Sequence, residues 1–286
     1  MNRQLKDSIV LGFAIVTGFA TVCTVLGFSM RDAFPFNTCD TGLAVIARLF
    51  ILSCIYLLVS FVIWLFKGYK YKNKIELKVG NNDVTIRKGD IFKENAWRVI
   101  PVDSRVETRV DDRIISKNSL QGKLIQKYND IEGIMAAVEN EAINLNVKKV
   151  DKESNYSFEY GTVIPYRNKD DKYLLVVINK LDKSFLACTT LAQYEITLLT
   201  MWDEISKVYE GFDVSLPIIG NGITRFVDGR DDTGNLLRCM LCTLNTSGVH
   251  LQSRITIILY EEDNKKLPLY EYKDIYNVVN WETYSD

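Results

Sequence analysis

Two long apolar runs near the amino terminus constrain this chain more than anything that follows them. Residues 8–30, SIVLGFAIVTGFATVCTVLGFSM, carry no charge between Asp7 and Arg31, and residues 43–66, LAVIARLFILSCIYLLVSFVIWLF, carry only Arg48 near their start. At about 1.5 Å per residue the first run makes a helix of roughly 35 Å, enough to cross a bilayer core. Arginine so near a helix end snorkels to the headgroups, so Arg48 does not bar the second run. A signal peptide is the rival reading of the first run. Its apolar stretch is too long for that, no A-x-A-like cleavage site follows, and a second run comes at once. The sequence therefore predicts a transmembrane hairpin.

Lysine and arginine bias orients it. Arg3 and Lys6 precede the first span, and Lys67, Lys70, Lys72 and Lys74 follow the second, whereas the connecting loop 31–42 sets one Arg against Asp32 and Asp40. The positive-inside rule puts both termini in the cytoplasm and leaves a short hairpin loop outside, in a protein that crosses the membrane twice. Trp64, Tyr69 and Tyr71 fall where an interfacial aromatic belt would lie. KGYKYKNK (67–74) reads as a basic juxtamembrane linker, which gives the domains 1–74, hairpin and linker, and 75–286, a soluble part. The six cysteines are scattered and form no disulfide framework, which a reducing cytosol would not support. A net charge of −1 argues against nucleic acid as a partner.

From residue 75 the pattern turns α/β. KIELKV and DVTIRK alternate like paired strands around GNND (80–83), and WRVIPV (97–102), YLLVVIN (173–179), VSLPIIG (214–220) and RITIILY (254–260) are short apolar strands. Between them, residues 129–145, 191–210 and NLLRCMLCTL have helical periodicity. Strands alternating with helices predict a mixed sheet covered on both faces, and ligands of such sheets bind beyond the carboxyl ends of the strands.

Much chemistry is excluded. His250 is the only histidine, CMLC (239–242) has no second cysteine pair, and no P-loop or G-x-G-x-x-G is present. The acidic pairs at 111–112, 170–171, 231–232 and 261–262 read as solvated turns. The parts of a self-sufficient hydrolase are missing, which favours binding. One stretch stays open: in SLPIIGNGITRF (215–226) an apolar strand runs into Gly-Asn-Gly, which is either a plain turn or a place where phosphates meet backbone.

Taken together, VTIRKGDIF (84–92), RVIPVDSRVETRVDDRIISKNSLQGKLI (98–125), YGTVIPY (160–166) and LPIIGNGITRF (216–226) resemble a macro domain. With the two-span prefix, the chain resembles the membrane-anchored macro-domain effectors of Thoeris antiphage defence. The resemblance implies a three-layer α/β/α domain that binds an ADP-ribose derivative and needs no cofactor. It implies that Asp90 and Ile91 hold the adenine, with the Asp90 carboxylate accepting from the N6 amine. It implies that Gly220, Asn221, Gly222, Ile223 and Thr224 cradle the diphosphate and distal ribose, and a valine at Gly222 is expected to resist a positive φ there. Phe226 is a candidate to pack on the distal ribose, with a core phenylalanine as the other reading.

The loop after the third strand departs from hydrolytic macro domains, which carry an Asn-rich stretch there. This chain has Asp103, Ser104 and Arg105, with Asp103 a candidate ligand contact and Asp111, Asp112 and Arg113 further along. That favours sensing over catalysis, with a membrane-tethered ADP-ribosyl hydrolase or a plain tether as alternatives. The resemblance further implies an antiviral, abortive-infection role. A TIR-domain partner makes the messenger, and the hairpins then oligomerise in the bilayer and disrupt it. Gly12, Ala14, Gly18, Ala20 and Gly27 in the first span permit close helix contact.

Overall fold

The computed structural model describes residues 3–26, 41–149, 156–181, 187–222, 225–226, 232–260, 267 and 269–272. They fall into two compact units, one of Met1–Lys72 with Leu269–Tyr272 and the other built on Asn73–Pro268.

The first unit is a helix pair, α1 (Arg3–Val25) and α2 (Thr41–Lys70). Both helices are long and apolar enough to cross a membrane, with mean hydropathy 2.1 and 2.7. The predicted end of the first span at residue 30, and with it Gly27 and most of the connecting loop, lies outside the described residues. Polar atoms pin the helices at two levels. The Gln4 amide donates to the Trp64 carbonyl at 2.8 Å, and the Tyr56 hydroxyl donates to the Ile9 carbonyl at 3.2 Å. The helices also touch at Gly12, where a Cβ would stand 2.2 Å from the Ser60 Oγ. Gly18, by contrast, has nothing within 4 Å of its Cβ position, so the small residues of α1 divide between a seam and an open face. A short turn of helix, α7 (Leu269–Tyr272), docks at the base, where the Tyr270 hydroxyl donates to Asp7 at 2.8 Å and accepts from Lys67 at 3.2 Å.

The second unit is a mixed sheet. Its strands are β1 (Lys74–Val79), β2 (Asn82–Lys88), β3 (Trp97–Asp103), β4 (Val163–Asn168), β5 (Asp171–Leu181), β6 (Ala187–Thr189), β7 (Val214–Pro217), β8 (Arg225–Phe226) and β9 (Ile255–Leu259). The order is β1-β2-β9-β7-β3-β5-β6-β8, with β4 antiparallel beside β5. β1 and β2 form a hairpin through Gly80-Asn81, where Gly80 at φ +56° allows the tight turn. Lys74, Glu76 and Lys78 line the exposed side of β1, charges that keep the sheet's edge from pairing further.

The strands β2, β9, β7, β3 and β5 are mutually parallel. Parallel strands need cover on both faces. α3 (Leu120–Tyr128) and α4 (Ile131–Asn144) supply one cover, burying Leu124, Ile134 and Val138 against Ile100, Val102, Leu175 and Val177. The alternating residues Val99, Leu174 and Val176 are equally buried on the other face, which α5 (Leu191–Val208) and α6 (Thr233–Thr246) cover. Each such aliphatic side chain contributes about 1.5–3 kcal/mol by leaving water. The three-layer α/β/α arrangement is thus as the residues predict.

Two details differ from the sequence reading. α3 has no counterpart there, because LQGKLIQKY is short and offers only Leu120, Leu124, Ile125 and Tyr128 at helical spacing; Ser119 starts it by accepting from the Gly122 N–H at 3.0 Å. The apolar run 214–220 is strand only to Pro217. Ile218–Gly220 turn away because the Ile219 N–H donates to the Met240 Sδ at 3.4 Å and its carbonyl accepts from the Tyr194 hydroxyl at 2.8 Å.

Candidate site at the carboxyl ends of the parallel strands

Because the five strands are parallel, the segments after β2, β7, β3 and β5 all leave from one edge of the sheet. Those residues singled out from sequence that are among the described ones follow strand ends at this edge, although they lie far apart in the chain.

After β2, Gly89 keeps the chain on the sheet by donating to the Leu259 carbonyl at 3.2 Å. Asp90 then caps a single 3-10 turn, Ile91–Lys93: its Oδ1 accepts from the Phe92 N–H at 3.0 Å, and the residue is exposed. Ile91 is buried and anchors the turn. The loop is held from behind by Arg87, whose guanidinium forks onto both oxygens of Glu94 at 2.6 Å. A carboxylate is thereby presented outward from a fixed backbone.

After β7, Gly220 stands at φ +78°, the left-handed region that disfavours side chains. A Cβ there would lie 3.3 Å from the Tyr194 ring and 3.4 Å from the Phe226 ring. Gly222 is exposed, has open space around its Cβ position and does not have a positive φ. The conformational demand therefore sits at Gly220; the expectation of a positive φ at Gly222 is corrected, because the chain reverses one turn earlier. Asn221 is held through its Oδ1, which accepts from the Thr233 hydroxyl at 3.0 Å at the start of α6. Ile223 and Thr224 lie outside the described residues. Phe226 is buried, its ring edge-on to Tyr194 with centroids 5.4 Å apart, so it supports Gly220 from beneath. Burial pushes the Tyr194 phenol well above its ordinary pKa, which keeps it a donor to the loop.

After β3, Asp103 is buried and its carboxylate is engaged internally. It accepts from the Arg105 N–H at 2.8 Å, the Glu107 N–H at 3.0 Å and the Gln121 amide at 3.2 Å. Ser104 donates its N–H to the Asn179 carbonyl at 2.9 Å, which ties the loop to β5. Further out, Asp111 and Asp112 are exposed and close turns of their own. Backbone N–H groups of Ile114 and Arg113 hold the Asp111 carboxyl low, and the N–H and ammonium of Lys117 do the same for Asp112. Arg113 is exposed beside them.

Sequence reasoning missed the residues that shape these loops: Tyr194, Thr233, Met240 and Gln121. Each lies on a helix distant in sequence from the loop it holds, and helical period marks such positions only as core. His250 is exposed in the segment before β9, away from any strand end of this edge. CMLC lies on α6, where Cys239 and Cys242 line a small cavity of about 300 Å³ against Glu195 on α5. Burial pushes the Cys239 thiol up to about 11, so it is not an activated nucleophile.

A family model described as the macro domain of Thoeris protein ThsA matches residues 84–260, from within β2 to just past β9. Thoeris protein ThsA of Bacillus amyloliquefaciens (strain Y2) is 32% identical over 273 residues, covering 91% of this chain and 86% of that protein. A glycine-to-valine variant of the Oceanobacillus iheyensis macrodomain, solved with ADPR, is similar at TM-score 0.49 and 17% identity over 72% of this chain and 98% of that one. Thermosipho africanus DarTG in complex with ADP-ribose is similar at TM-score 0.45 and 15% identity over 71% of this chain and 48% of that one. The matched stretch contains every parallel strand and the loops of the site, and the curated relative extends the likeness over most of the chain. This chain belongs to the Thoeris ThsA family, as a member with a macro domain.

Proposed function

We propose that this protein is a membrane-anchored sensor of an ADP-ribose-type messenger made by a TIR-domain partner. The observation that carries the reading is the convergence of Asp90, the Gly220–Gly222 turn and the Asp103 loop on one edge of the parallel strands. Asp90 and Ile91 take the adenine, and the backbone from Gly220 through Thr224 takes the diphosphate. Thr233 opens α6 behind that turn, so the helix's positive end faces the phosphates. Phe226 acts from beneath the turn. Asp103 acts through the loop it organises, and with both of its oxygens engaged it is a poor general base. That supports binding without turnover, and hydrolysis of ADP-ribosylated substrate by the purified chain is expected to be absent.

The helix pair spans the bacterial inner membrane with both termini in the cytoplasm. Bound messenger favours an assembled state over a resting one by its difference in affinity for the two. The hairpins then associate through the open face of α1 and breach the bilayer, a defence that sacrifices the infected cell. Full-length protein in liposomes is expected to release dye only when an ADP-ribose derivative is present. Gly18→Leu is expected to abolish release while leaving the hairpin and ligand binding intact, since among the described residues nothing meets its side chain. Asp90→Asn, which keeps the cap on Phe92, is expected to bind ADP-ribose about 10-fold more weakly by losing a charged acceptor. Tight liposomes under saturating ligand, with binding confirmed by calorimetry, would reduce the protein to a tether.

A further inference from the structure

The sheet order sets how far along the edge each part of a ligand reaches. From β2 to β5 there are four inter-strand steps, through β9, β7 and β3. At about 4.8 Å each these make about 19 Å, comparable with adenosine, two phosphates and a second ribose laid end to end. With adenine at the end of β2 and phosphates at the turn after β7, the distal ribose falls at the ends of β3 and β5.

At that place both Asp103 oxygens already accept bonds, one on Oδ1 and two on Oδ2. Its partner across the ladder, Asn179, has an oxygen that accepts none. The Asn179 Oδ1 is shut off from solvent and has no hydrogen-bond partner. Its backbone is fixed, because the carbonyl accepts from the Ser104 N–H at 2.9 Å. The ladder also shifts here: Val102 pairs with Val177 but Asp103 pairs with Asn179, so β5 carries one extra residue at its carboxyl end. Such bulges re-aim side chains and recur beside binding sites. A buried acceptor left unmade destabilises a fold, and so needs an explanation. The other buried acidic and amide groups near this edge, Asp103 and Gln121, are satisfied.

Resting on the ADP-ribose reading above, we propose that Asn179 is the specificity residue for the far end of the ligand, its Oδ1 accepting a hydrogen bond from a hydroxyl of the distal ribose. ADP, which has no distal ribose, cannot use it. Asn179 thus separates ADP-ribose-type ligands from simple adenine nucleotides, a discrimination that the adenine and diphosphate contacts do not supply.

Calorimetry on the full-length chain in detergent micelles, with ADP and ADP-ribose as probes, tests this. The wild type is expected to prefer ADP-ribose. Asn179→Ala is expected to weaken ADP-ribose binding about 3- to 10-fold, the worth of one neutral hydrogen bond, while ADP binding stays put. The ligand-free melting temperature should hold or rise, because the deleted oxygen makes no bond in the free protein. Analogues lacking one or the other distal ribose hydroxyl repeat the comparison without a variant, and one of them should cost the wild type the same factor. If Asn179→Ala keeps the full preference for ADP-ribose, or loses ADP equally, Asn179 is not that residue while the ligand reading stands. A wild type that binds ADP and ADP-ribose alike overturns the proposal in the same way. A wild type that binds neither removes the ligand reading and this proposal together.

Discussion

The two ends of one sheet are built on opposite principles. At the amino ends of the parallel strands, a network of largely buried polar groups is paired. Arg98 lies 2.7 Å from Asp171 and 2.8 Å from the Tyr173 hydroxyl, and donates through Nε to the Glu94 carbonyl at 2.6 Å. Tyr128 bonds both Asp171 and Tyr173, and Asp130, which caps α4, accepts from Tyr166 at 2.7 Å and Asn168 at 2.8 Å. At the carboxyl ends the side chains are spent on holding loops, a glycine takes a left-handed turn, and one amide oxygen has no partner. The first end is a dense set of bonds that fixes the strands, with the buried Trp97 Nε1 its one unpartnered group among the described residues. The second leaves groups available, and its loops are positioned by contacts made behind them.

If that division is right, mutations should split into those that unfold and those that only fail to bind. The largest effect is expected at Arg98. Arg98→Ala takes the cationic partner from Asp171 and a donor from the Glu94 carbonyl and the Tyr173 hydroxyl in a largely dry place. With Asp171 still 32% exposed, the cost should sit near the low end for a broken buried pair, about 3 kcal/mol. It should appear as a lower urea midpoint of the sheet-bearing unit, while the fraction that remains folded binds ADP-ribose as before.

Gly220→Val comes next, at about 2 kcal/mol, from a β-branched side chain forced to φ +78° against Tyr194 and Phe226. Unlike Arg98→Ala it should also abolish binding. Gly222→Ala, with open space around it, should leave the midpoint unchanged and weaken only the ligand. Normal binding by the Gly222→Ala chain would confine the phosphate contact to Gly220 and Asn221.

The smallest effect is a pH dependence confined to the amino end. Burial, with the hydrogen bond to Asp130, pushes Tyr166 up to about 12, and burial, with the hydrogen bond it donates to Tyr128, pushes Tyr173 up to about 12. A phenol whose folded pKa is raised gives stability that is complete below its ordinary value of about 10 and is lost as pH rises toward 12. The carboxylates act oppositely. Bonds from Tyr166 and the Gly133 N–H lower Asp130; burial raises Asp171, but Tyr128 and Arg98 outweigh it. Their contribution is present above the ordinary carboxylate range and lost on acidification. Tyr166→Phe should cost about 1 kcal/mol at neutral pH and make the alkaline fall in urea midpoint shallower, while ADP-ribose affinity stays fixed. An unchanged alkaline limb would show that Tyr166 does not titrate with unfolding.

The sequence by itself determined the main elements. The two long apolar runs make helices long and apolar enough to cross a membrane, and the buried runs of β3, β5, β7 and β9 declare parallel strands because both faces must be apolar. It also marked Asp90 and the Gly-Asn-Gly turn, since glycine advertises backbone geometry. It left Asp103 looking like a ligand contact and KDD like a solvated turn. Only the tertiary structure decided that Asp103 is occupied by Arg105, Glu107 and Gln121, that Asp171 pairs with Arg98, and that the strained glycine is Gly220. It alone sorted Gly12 to the helix seam and Gly18 to the open face, and left the Asn179 oxygen without a partner. The physical reason is that a propensity belongs to a residue and its near neighbours, whereas the satisfaction of a polar atom depends on which distant segment arrives beside it.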